Sequence, residues 1–120
     1  MKIETHRLND TTIAEVISEE KIINSIEDGS ALLGDLYYQN FDAIIMHEQN
    51  LSADFFDLSS GMAGEILQKF SNYRMRLAIV GDFSKYTGKS FTDFVYESNK
   101  GRQINFVSSV SAALEALSGK

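Results

Sequence analysis

No cysteine occurs in the 120 residues, which excludes disulfides and thiolate metal sites. Proline is absent as well, and nothing about function follows from that. No apolar run approaches the roughly 18 residues of a membrane span. The opening MKIETHRLND lacks the apolar core of a secretion signal. These absences make a cytoplasmic protein with no membrane role the expectation. Positive charge is scarce: 11 Lys and Arg against 17 Asp and Glu leave a net charge of −6, which argues against nucleic acid as a partner. Linkers, internal repeats and low-complexity segments are also missing.

What is present suits a packed globule. The chain is 43% apolar with 8 Phe and 5 Tyr, unlike a disordered sequence. Its length suits a single domain over residues 1–120 with a sizeable core. The charge is uneven: residues 1–68 hold 3 Lys/Arg and 13 Asp/Glu (−10), and residues 69–102 hold 7 and 3 (+4). A solvated surface, with attraction between the two halves, accounts for this. The sharper alternative is a basic patch of Lys85, Lys89, Lys100 and Arg102 meeting an anionic ligand or partner. The same asymmetry is compatible with a homodimer.

Lys2–Arg7 and Thr12–Ile17 read as two strands joined by the turn-forming Leu8-Asn9-Asp10-Thr11, a hairpin signature. His6 is expected on the surface of the first strand. Ser25 followed by Asp28 opens a helix on which Leu32, Leu33, Leu36 and Tyr37 share a face, ending near Gln39-Asn40. Phe41–Met46 is a short apolar run of the kind buried on both faces of a sheet. Ala53–Leu58 forms a short turn anchored by two Phe. Ser59 or Ser60 begins the next helix, striped by Met62, Ala63, Ile66, Leu67 and Phe70. Leu77–Val80 is the central strand. A capping box of Ser90 and Asp93 predicts the following helix, and Gly101 in a left-handed conformation is expected to stop it. Gln103–Val107 is the last strand, and Ser109 or Ser111 opens a closing helix. The order β-β-α-β-α-β-α-β-α predicts an α/β domain with a mixed sheet covered by helices.

Two family likenesses rest on particular residues. Phe55 to Leu58, Gly61, Ala63 to Glu65, Leu67 to Phe70, Asn72 and Tyr73 spell the first half of one pattern. Gly81 to Ser84, Tyr86, Asp93, Phe94 and Tyr96 to Asn99 spell the second. Together they resemble the bacterial family catalogued as domain of unknown function 4180, which implies no activity to carry over. The element order is remotely similar to the STAS domains of anti-sigma-factor antagonists. In those, an Asp-Ser-Ser-Gly-type loop before a helix carries a serine phosphorylated by a partner kinase. Asp57-Leu58-Ser59-Ser60-Gly61 falls in that place, with an extra Leu58, so the resemblance implies Ser60 as the modified residue.

The chemistry-bearing residues cluster in loops that leave strand ends, where α/β sheets bind ligands. Val80–Ser90 has the Gly88-Lys89-Ser90 of a P-loop, but that motif needs a glycine at residue 83 and Phe83 stands there. A looser anion site at Lys89 and Ser90 remains. His47, Glu48 and Asp82, with Ser60 or Ser84, suggest a hydrolytic set, although Gly-x-Ser-x-Gly is absent. His47, Glu48 and Asp82 as divalent-metal ligands make a weak pattern with one histidine. Ser59 and Ser60 are first of all helix-capping hydroxyls, worth about 1 kcal/mol. No catalytic residue, metal or cofactor is assigned. The expectation is a non-enzymatic regulatory or protein-interaction module. Its surface combines His47, Glu48, Ser59, Ser60, Gly61, Asp82, Phe83, Ser84, Lys85 and Lys89. The alternative is a small-anion binder or small enzyme using the same loops.

Overall fold

A computed structural model describes residues 1–118. The chain folds as β1 (Lys2–Leu8), β2 (Thr11–Ile17), α1 (Ile26–Tyr38), β3 (Ala43–His47), α2 (Ala53–Phe56), α3 (Met62–Asn72), β4 (Arg76–Val80), α4 (Lys89–Lys100), β5 (Ile104–Val107) and α5 (Val110–Ser118). The expected α/β domain is therefore present, with the strand order β1-β2-β3-β4-β5. The first pair is antiparallel and the rest are parallel. Asn9 and Asp10 close the hairpin with φ of 52° and 67°, the left-handed pair that a two-residue turn requires.

Right-handed crossovers stepping in one direction across a sheet place their helices on one face. Leu32, Phe55, Ile66 and Phe91, from α1 to α4, accordingly share a core with Val16, Ile44, Leu77 and Phe106. The intervening strand residues turn the other way. Ile13, Ala43, Ile45 and Ala78 meet Ala113 and Leu117 of α5. Helix α5 packs mostly over β4 and β5. The Arg76 guanidinium holds its far end, donating to the carbonyls of Ala116 (2.6 Å) and Leu117 (3.0 Å), where a cation suits the helix dipole.

Three local expectations fail. Ser59 and Ser60 belong to a 3-10 turn, Leu58–Ser60, and α3 starts beyond Gly61, which has φ of +80°. Helix α4 begins at Lys89, one residue before the expected cap, so Ser90 lies inside it and no side chain caps its first turn. Gly101 is extended, at φ −94° and ψ −171°, not left-handed. The helix still ends there, and Asn99 ties that end to β5: its amide accepts from Phe106 N–H (2.7 Å) and donates to Phe106 C=O (3.1 Å). Ser109, one of the two expected caps of α5, does accept from Ala112 N–H at 3.0 Å.

Candidate functional site

At the end of β3, neighbouring residues part company. Glu48 opens a 3-10 turn, Glu48–Asn50. Its Oε2 accepts from Lys85 Nζ and Tyr86 OH, both at 2.7 Å, and its Oε1 accepts from Asp82 N–H at 3.2 Å. Burial disfavours the charged carboxylate, but the bonds from Lys85, Tyr86 and the Asp82 amide outweigh it, so the pKa lies below its ordinary value. Burial and the same carboxylate push the Tyr86 phenol up to about 12. The Tyr86 ring stacks on Phe56, centroids 4.8 Å apart.

His47, Glu48 and Lys85, with Gly81, Tyr86 and Phe56, line an open cleft of about 550 Å³. Asp82 and Phe83 line a second, of about 720 Å³, with Phe106, Ser108 and Ala112. Phe83 packs edge-on against Phe106 with centroids 5.2 Å apart, so it braces the core. Asp82 Oδ1 accepts from Ser84 Oγ (2.6 Å) and Ser84 N–H (3.1 Å), and these bonds hold its carboxyl below the ordinary range. Asp57 repeats the device with Ser59, at 2.7 and 3.1 Å.

The other expected residues are not brought together. Ser59, Ser60, Gly61 and Lys89 line neither cleft. Ser60 Oγ donates to the Asp54 carbonyl at 2.7 Å and accepts from Met62 N–H at 3.2 Å. Three cations of the basic patch have carboxylate partners: Lys85 pairs with Glu48 at 2.7 Å, Lys89 with Asp93 at 2.8 Å and Lys100 with Glu97 at 3.4 Å. His47, Glu48 and Asp82 each turn to a different partner. Among the described residues, no hydrogen bond joins the side chains of His47, Glu48 and Asp82 to one another.

In the sequence Glu15 is passed over, and His6 reads only as a strand-surface histidine. Glu15 is only 7% exposed, the one buried charged residue among those described. His6 Nε2 lies 3.0 Å from its Oε1, and His47 Nε2 lies 2.7 Å from its Oε2. An ionised carboxylate only accepts, so both rings carry their proton on Nε2. Burial works against the Glu15 charge. The bonds from His47 and His6 outweigh it and hold the pKa below the ordinary value. The readable signal is a lone acid in the apolar run TTIAEVI, with Glu4 directly opposite and His6 on the diagonal across a two-residue turn.

No curated protein and no solved structure matches the chain. The family model described as a domain of unknown function, DUF4180, matches residues 8–117. The quoted motifs from Phe55 to Asn99 all fall within that span. With nearly its whole length matched, the chain belongs to the DUF4180 family.

Proposed function

We propose that this domain is a non-enzymatic protein-interaction module. Its contact surface is the open cleft at the carboxyl ends of β3 and β4, around His47, Glu48, Gln49, Lys85 and Tyr86. One observation carries the reading: the polar groups that could do chemistry there are bonded to one another. Glu48 is held by three donors, Asp82 by Ser84, and both histidines by Glu15. Among the described residues, no serine hydroxyl is bonded to a histidine, so no nucleophile and base are paired. The small-anion alternative has less support, because Lys85 and Lys89 already have carboxylate partners.

Regulation enters this reading through Ser60. It is exposed and matches the serine that the STAS likeness points to. Phosphorylation would end its donation to the Asp54 carbonyl and place charge before the α3 N-terminus, which tolerates anions.

Photo-crosslinking in the cell tests the interaction surface. A crosslinking residue at position 49 or 85 should give a discrete adduct with a different protein, and one at exposed Gln68 should not. An adduct of twice the chain's mass would make the partner a second copy and overturn the heterologous reading. So would the absence of any cleft-specific adduct. Turnover of activated esters or phosphoesters that disappears in His47→Ala would overturn the non-enzymatic reading.

A further inference from the structure

Two histidines meet on one buried carboxylate, and a second carboxylate stands beside them. Ligand atoms of Glu4, His6 and Glu15 all lie within 4.8 Å of one another, and His47 Nε2 is 2.7 Å from the second oxygen of Glu15. We propose that these residues bind one divalent first-row transition-metal ion, with zinc the best match. His6 and His47 ligate it through Nε2, and Glu15 and Glu4 through carboxylate oxygens.

The sheet places the four donors. Glu4 pairs with Glu15 across β1 and β2, and Glu15 pairs with Ile45 across β2 and β3. Residues two apart on a strand share a face. Glu4, His6, Glu15 and His47 therefore project from three adjacent strands toward the side that α5 occupies. That helix lies mainly over β4 and β5 and reaches β2 at Ile13. The His6 and His47 side chains are 22% and 24% exposed, which gives an ion an entry path.

The donor chemistry agrees. With no cysteine in the chain, imidazole and carboxylate are the strong ligands left, and zinc takes both in tetrahedral sites at about 2.0–2.2 Å. Donors around such an ion stand about 3.3–3.6 Å apart by tetrahedral geometry. Glu4, His6 and Glu15 already stand within 4.8 Å of one another, and His47 joins them through the second Glu15 oxygen. In the metal-free chain Glu15 accepts two N–H groups. Bound metal would take the place of both hydrogens, each ring then carrying its proton on Nδ1. This inference does not depend on the partner surface, because it is read with metal alone.

The test uses the full chain, stripped with a chelator and titrated with zinc and with cobalt(II) salts. The expected result is one ion per chain by calorimetry and a higher unfolding temperature with zinc. Bound cobalt should show the intense visible bands of low coordination, and zinc should displace it. His6→Ala and His47→Ala should each weaken binding by more than about 100-fold, beyond the usual effect of losing an outer-shell partner. Should His47→Ala fail to fold, His6→Gln on the edge strand carries the comparison. Zinc-dependent shifts of the His6 and His47 Nε2 resonances need no variant. Two outcomes overturn the proposal. In one, metal changes neither the unfolding temperature nor the spectrum, which leaves an internal carboxylate–histidine network. In the other, binding persists when both histidines are replaced, which makes it an adventitious ion only.

Discussion

Glu48 crosses Gly81 so closely that a Cβ on residue 81 would lie 2.5 Å from the Glu48 Cβ and 2.6 Å from its Oε1. The exits of β3 and β4 thus share one space, left open by the missing side chain. Gly81→Ala should push Glu48 away from Lys85, Tyr86 and the Asp82 amide. The expected cost is about 1–3 kcal/mol, typical of overpacking, read as a lower urea midpoint with an unchanged slope.

Glu15 and Glu48 both have pKa values lowered from 4.5, which fixes the sign of an acid effect. Their contribution is fully present above the unfolded value and is lost as pH falls through the lower folded values. Stability measured by urea unfolding over roughly pH 2 to 7 should fall on the acid side of that range. Glu15→Gln and Glu48→Gln should each flatten the fall.

Tyr86 supplies the alkaline counterpart. Its phenol is raised to about 12, so its contribution is present below the ordinary tyrosine range near 10. That contribution is lost as pH rises through about 12. Tyrosinate absorbance should show a late-ionising tyrosine, and Glu48→Gln should bring it back toward the ordinary range.

Gly29 lies where α1 packs tightly on Ile66 of α3. A Cβ there would stand 2.9 Å from both Cγ1 and Cδ1 of Ile66, itself 3% exposed. Alanine gains about 1 kcal/mol of helix propensity, against about 1–3 kcal/mol for forcing a packed core. Gly29→Ala should therefore destabilise the wild type. In an Ile66→Ala background its cost should vanish or reverse, giving a coupling of at least about 0.5 kcal/mol in a double-mutant cycle.

Asn99 occupies the open side of β5, where it satisfies both backbone groups of Phe106. Asn99→Ala should cost about 1–3 kcal/mol through unmet polar groups. Amide exchange at Phe106 should accelerate more than at Ile79 in the neighbouring strand.

The elements themselves were legible because their periodicities are strong. The α3 stripe from Met62 to Phe70 reached the structure as read, and the buried run at β3 did so from Ala43 to Met46, with the strand starting two residues after Phe41 and ending at His47. Short-range cap chemistry was less legible. Ser90-x-x-Asp93 has the spacing of a capping box, but Asp93 pairs with Lys89 and the helix starts at Lys89. Gly101 does follow the last helical residue, but in an extended and not a left-handed conformation, and Asn99 beside it bonds to a later strand. The polar loops betrayed their positions but not their mutual bonds, since Glu48–Tyr86 and His47–Glu15 join residues 38 and 32 apart. Strand order decides those bonds, and the pattern of apolar residues does not encode it. Glu15 was hidden because a single acid does not disturb the reading of a strand.

The sheet order β1-β2-β3-β4-β5 also bears on how the chain assembles. Each strand hydrogen-bonds to the one made just before it, so a growing polypeptide can add one strand at a time to an existing border. Closure of each step spans only one connecting segment, a modest loop entropy. Asn99 and β5 seal the final border, and Arg76 waits in β4 for the carbonyls at the end of α5. Helix α5, made after β4 and β5, therefore finds its docking groups already in place.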